Sequence, residues 1–339
     1  MKLRTFFAVP VPMYIGMIAV LGGCVAVSGA PGEQKGVARD TAKRRDVARD
    51  TLEHSGAQSA IRNPQSSIPN PQSPIRNRIE RLHWEDAIAI KTPVSYDLVE
   101  LGRRTYNTRC LICHGREGHG DGSAANYLDT KPRDFTKAIF KYRTTPQGSF
   151  PRDEDLFRSI SVGFPIYGMP SFHYLSARQR WGLVYYVEKL CEAGFRKSLE
   201  DDGDSDPDEI KEILDERLTP EKPLDVGNAP EWNDDAIARG KTVYQELQCA
   251  TCHGDRGMGD GPSANDQTDV WGNELTPVPF ALNPYFMKAG GRPRDIVRVL
   301  MTGVGGTGMP RFETQNQDDY WKLAYYVLQL ADERSEENQ

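Results

Sequence analysis

Five consecutive residues, Cys110-Leu111-Ile112-Cys113-His114, bring two thiols and an imidazole together, and the arrangement recurs as Cys249-Ala250-Thr251-Cys252-His253. C-x-x-C-H is the attachment sequence of a c-type haem. The two thiols can add to the vinyl groups of one porphyrin, and the histidine then stands under the iron as a nitrogen ligand. The rival chemistries for a C-x-x-C are a zinc site and a redox dithiol. A zinc ribbon sets its second Cys pair roughly 15–20 residues from the first. Here the second pair begins only at Cys249, far beyond that spacing, and each pair carries its own His. The pattern points to two covalent haems, held by Cys110 and Cys113 in one copy and by Cys249 and Cys252 in the other. His114 and His253 are then the axial iron ligands.

A second axial ligand must come from elsewhere in each copy. Met169 follows His114 in a Gly-Met-Pro loop, and Met309 follows His253 in another, at a spacing that differs by a single position. A thioether is a soft ligand that raises the reduction potential relative to a second His. In the first copy His119 and His173 are alternatives, although His119 is close to His114 in sequence. In the second no histidine follows His253, and Met258, Met287 and Met301 are the other thioethers.

Helices have to position these groups. Residues 94–109 and 236–247 read as helices leading into each motif, with Gly102 and Tyr106 matched by Gly240 and Tyr244. A short helix is expected at 153–162, and a second one opens at Pro293. A closing helix at 177–193 starts with Ser176 and Gln179 in capping-box spacing. Trp181 to Val187 and Trp321 to Val327 match at a constant offset. Cys191 falls on the apolar side of the closing helix, where Ala331 is its counterpart, and reads as a small buried hydrophobe.

The N-terminal region reads differently. Lys2 and Arg4 precede an apolar run that ends in Leu21-Gly22-Gly23-Cys24. The run is shorter than the roughly 20 apolar residues of a membrane span and reads as a secretory signal. Its end resembles the lipobox of bacterial lipoproteins, which implies cleavage after residue 23, acylation of Cys24 and an acyl anchor in a membrane. Val25 leans towards the outer membrane. Residues 24–82, rich in Pro, Ser, Asn, Gln and Arg, are expected to be a disordered tether reaching roughly 40 Å.

The whole chain has a net charge of −6. The tether is basic, so residues 83–339 sum to about −12 once Lys2 and Arg4 are removed. An acidic surface excludes nucleic acid as a natural partner and favours a redox donor and acceptor with basic docking faces.

G-x-x-x-Y before C-x-x-C-H-G, the G-x-G-D-G turn, the G-M-P loop and the W-x-x-x-Y-Y-V helix together resemble class I cytochromes c, twice over. The resemblance implies an all-α fold of two tandem domains, each wrapped round one covalent haem. The expected order is a signal peptide at 1–23, tether at 24–82, first domain at 83–197, linker at 198–232, second domain at 233–333 and tail at 334–339. The family also implies that a Pro carbonyl after the motif accepts a hydrogen bond from the ligand His. Pro132 fills that role in the first domain, and Pro277 or Pro279 in the second. The implied function is single-electron transfer on the periplasmic side of a bacterial membrane, by a carrier rather than an enzyme. Alternatives are a diheme peroxidase, which needs an exchangeable iron position, or the cytochrome subunit of a larger periplasmic oxidoreductase.

Overall fold

Ser95 starts the first described helix: its side chain accepts from the amide of Leu98 at 3.3 Å and satisfies one of the helix's unpaired donors. The computed structural model describes residues 91–203, 206–281 and 287–337, with side chains described as far as 331. These residues all belong to one unit, Ser67–Gln339. The expected signal peptide and tether, with Cys24, lie outside the described residues.

The first domain contains α1 (Tyr96–Arg109), α2 (Leu111–His114), α3 (Asp153–Val162) and α4 (Ala177–Asp202). After α5 (Pro207–Leu218) the second domain repeats the set as α6 (Asp234–Glu246), α7 (Ala250–His253), α8 (Pro293–Thr302) and α9 (Asp318–Glu337). The described residues contain no strand, only two isolated bridges. No helix among them is long and apolar enough to cross a membrane.

Each domain is built on one close helix crossing, α1 on α4 and α6 on α9. A methyl group on Gly102 would lie 1.9 Å from the carbonyl oxygen of Gly182 in α4, and one on Gly240 would lie 2.0 Å from that of Lys322 in α9. Only glycine lets these backbones touch. Leu98, Tyr106, Phe157, Trp181 and Leu183 fill the first core, and Val243, Tyr244, Val297, Trp321 and Leu323 the second. Cys191 is fully buried in the first core.

The capping box at α4 forms as its spacing predicts. The Gln179 amide donates to the Ser176 hydroxyl at 3.2 Å, and the Ser176 amide donates to the Gln179 side chain at 3.0 Å. The helix runs on to Asp202, well past the expected end at 193. Gly194 does not break it, because that position packs directly on Thr136. Gly203, at φ 105°, ends it. Part of the expected linker also packs. Ile210 and Leu214 of α5 are buried, and Val226 joins the second core, where its carbonyl accepts from the Trp321 indole at 2.9 Å.

Candidate functional site

The two C-x-x-C-H segments are short helices, α2 and α7, pinned in the same way. The Tyr106 phenol donates to the carbonyl of Gly115 at 2.8 Å, and the Tyr244 phenol to that of Gly254 at 2.6 Å. Both tyrosines are buried, so each bond fixes the residue after the histidine to the preceding long helix. The glycine-rich turn then folds back over the carbonyls of the motif. Gly120 N–H donates to His114 O at 2.9 Å and Gly122 N–H to Cys113 O at 3.1 Å. Gly259 and Gly261 do the same to His253 and Cys252, at 2.9 and 3.2 Å.

The histidines are oriented from two sides. Nδ1 of His114 lies 3.1 Å from the carbonyl of Arg133, and its ring stacks on Phe135 with centroids 4.6 Å apart. Nδ1 of His253 lies 3.3 Å from the carbonyl of Val278, and its ring meets Phe280 at 5.2 Å. A carbonyl partner makes Nδ1 the donor and leaves Nε2 free to ligate. The acceptor is therefore the residue after Pro132 and the residue after Pro277, a correction to the expected prolines. The prolines' own carbonyls are turned elsewhere: a methyl group on Gly120 would sit 2.6 Å from Pro132 O, and one on Gly259 would sit 2.5 Å from Pro277 O. Phe135 and Phe280 were missed, yet a signal exists, since each follows the corresponding proline at the same short spacing.

One cleft in the first domain is lined by Cys110, Cys113, His114 and Met169 together. It encloses about 1160 Å³ when its open mouth is included. Its walls include Leu128, Phe140, Leu156, Ile160 and Phe172. His119 and His173 are not among its lining residues. His119 is exposed beside Thr136, and His173 is exposed and hydrogen-bonded to Ser171 at 2.9 Å. The Met loop is closed on itself, with Phe164 N–H donating to Met169 O at 2.8 Å and Met169 N–H donating to Phe164 O at 3.2 Å. In the second domain Val304 N–H donates to Met309 O at 3.0 Å. Met309 packs with Cys249, Val278 and the other three methionines against that domain's core.

The electrostatics suit a haem rather than a dithiol. A redox dithiol needs a thiol whose pKa is lowered. Burial instead pushes the Cys110 thiol up to about 12 and that of Cys249 up to about 11. Burial also pushes the His114 imidazole down to about 4 and lowers that of His253, so both remain neutral as an iron ligand must. Among the described residues no three His, Cys, Asp or Glu side chains form a metal cage, so the two Cys pairs do not meet in one tetrahedral site. Two thiols, a neutral imidazole and a thioether around one cleft with largely apolar walls form a donor set that fits covalent haem.

The same two segments match a family described as cytochrome C oxidase, cbb3-type, subunit III, over residues 97–187 and 235–327. Together they make up more than half of the chain. The chain belongs to this family.

Its two domains are thus cytochrome c domains, the kind that carries haem c and moves electrons. No curated protein matches it. Among solved structures it is similar to a chain of the Kuenenia stuttgartiensis reducing HAO-like protein complex, at 36% identity and a TM-score of 0.58. That match covers 68% of this chain and 96% of the other. In this pair of cytochrome c domains the family match spans α1 to the first half of α4, and α6 to the middle of α9. Those are the helices that cross at Gly102 and Gly240.

Proposed function

We infer that this chain is an exported diheme electron carrier. Cys110 and Cys113 would hold one haem and Cys249 and Cys252 the other, with His114/Met169 and His253/Met309 as the axial pairs. A bound haem supplies a one-electron Fe(III)/Fe(II) couple whose potential the protein tunes through ligand type and burial. The residues do the rest. Arg133 and Val278 carbonyls and the Phe135 and Phe280 rings fix the imidazoles, the tyrosines clamp the attachment helices, and the apolar walls exclude water. With His114 and Met169, and His253 and Met309, all engaged by the haems, the chain would offer a substrate no place at either one, which supports a carrier rather than an enzyme. The observation that carries this reading is the single cleft onto which both thiols, His114 and Met169 converge.

The lipobox-like Leu21-Gly22-Gly23-Cys24 supports acylation at Cys24 and attachment to a membrane on its periplasmic side. The likeness to a chain from a multi-protein reducing complex supports work as the cytochrome subunit of a larger oxidoreductase assembly. The acidic haem domains would then meet basic partner faces.

An optical redox titration of the haem-loaded protein tests this, with Met169→His and Met309→His beside it. Two low-spin haems are expected, each losing its ferric Met-ligation band and dropping in potential on its own substitution. A high-spin or carbon monoxide-reactive haem in the unmodified protein would overturn the ligand assignment for that domain.

A further inference from the structure

Five cations line the first cleft, Arg109, Lys131, Arg133, Lys141 and Lys288, and no carboxylate does. In a chain of net charge −6 this inversion of sign is informative. Lys131 is engaged by the carbonyl of Leu128 at 2.9 Å, and Arg109 stands beside Cys110. The other three sit at the seam between the two domains. Lys288 comes from the second domain and lies over Tyr167 of the first domain's Met loop, 3.5 Å from the ring centre. In the opposite direction, Arg133 lies over Trp271 of the second domain at 3.9 Å. The carbonyl of Lys141 accepts from Gly305 N–H in the second Met loop at 3.2 Å.

None of the three cations makes an ion pair among the described residues. Asp269 offsets Arg133 and Lys141 only partly, and its Oδ1 already accepts from the amides of Trp271 and Asn273 at 3.0 and 2.9 Å. Burial depresses all three, and mutual repulsion adds to it for the two lysines, with Lys141 pushed down to about 8 and Lys288 to about 7. Cations taken out of water without a partner are costly, and a multiply charged anion among them removes that cost.

We propose that Arg133, Lys141 and the second domain's Lys288 clamp the propionate carboxylates of the first haem, so that the second domain completes the first domain's site. This rests on the haem assignment made above. A haem fixed at Cys110 and Cys113 through its vinyl edge presents its two carboxylates at the opposite edge, and this cation cluster is the part of the cleft without a counter-charge. The docking of the domains thereby sets the potential of the first haem. Lys288 follows Phe280, the ring against His253, by only a few positions, so the second haem environment and the clamp are close along the chain.

The test is a redox titration of the full-length, haem-loaded protein carrying Lys288→Gln, with Lys288→Arg and Lys141→Gln beside it. The first haem is identified by its response to Met169→His. A cation near the carboxylates favours the less positive ferrous state. Lys288→Gln should therefore shift the first haem about tenfold towards the ferric form, ~59 mV for one electron, with Lys288→Arg restoring it and the second haem unmoved. Lys141→Gln should shift the same haem in the same direction. Carbodiimide treatment of the unmodified protein should yield a fragment in which Lys288 is amide-linked to the haem on Cys110 and Cys113. If both haems are attached and Met-ligated, and neither glutamine variant moves the first potential, the clamp is wrong while the carrier reading stands. Absence of a haem on Cys110 and Cys113 in the unmodified protein would overturn both.

Discussion

The hydroxyl of Tyr106 donates to the carbonyl of Gly115, just beyond the haem motif, and through that bond α1 holds the end of the attachment helix. The second domain repeats the relationship between Tyr244 and Gly254. In both domains a neighbouring tyrosine packs edge-on against the phenol ring, Tyr186 at 5.1 Å and Tyr326 at 5.5 Å. The second tyrosine of each closing-helix pair thus walls the clamp, while the first, Tyr185 or Tyr325, donates instead to the carbonyl of Thr92 at 2.9 Å or of Pro230 at 2.8 Å.

Tyr106→Phe keeps the ring and removes the donor, leaving a buried carbonyl without its partner. That change should cost about 1–3 kcal/mol of stability, read as a lower denaturant midpoint in the haem-loaded protein at unchanged slope. Tyr244→Phe should behave alike. A variant as stable as the unmodified protein would mean that the Gly115 carbonyl finds another donor.

The repeat made both domains legible from the sequence, because Gly102, Tyr106, the haem motif, Met169 and Trp181 each have a counterpart at nearly constant offset. The capping box at Ser176 was readable for a local reason: Gln179 stands one helical turn away. What the chain hides is contact at long range. That Lys288 enters the cleft of His114 depends on how two domains dock, between parts of the chain that are far apart in sequence. The carbonyl that meets His114 belongs to Arg133 and not Pro132 because Pro132 turns its own oxygen towards Gly120. A one-residue difference of that kind is set by the turn and not by residue type.

Glu188 offers a pH-dependent readout. Burial, and then the neighbouring Asp153 with which it shares a hydrogen bond, push its carboxyl up to about 8, against the opposing pull of Lys91 and Lys189. The folded state therefore binds this proton more tightly than the unfolded chain, whose ordinary value is 4.5. The stability that the group contributes is complete below about pH 4.5 and is lost as pH rises through about 8. Glu188→Gln keeps the shape without the titration. Its stability relative to the unmodified protein should rise steadily between about pH 4.5 and 8, followed by denaturant midpoints at each pH. A flat difference across that window would show that Glu188 titrates normally in the folded protein.

Arg143 is one buried link between the domains. Its Nη2 donates to the carbonyl of Thr302 at the end of α8 at 2.9 Å, while Nε holds Pro146 O at 3.0 Å and Nη1 holds Phe140 O at 3.3 Å. One guanidinium thus joins a first-domain turn to the start of the second Met loop. Arg143→Met fills similar volume but leaves the Thr302 carbonyl unpaired, and a bond from a charged donor is worth about 1.5–3 kcal/mol. The loss falls on the seam more than on either core. Unfolding followed separately at the two haem bands should then change from one shared transition to two, with the first haem's potential moving as the Lys288 contact loosens. Coincident transitions in the variant would show that the domains hold together without this arginine.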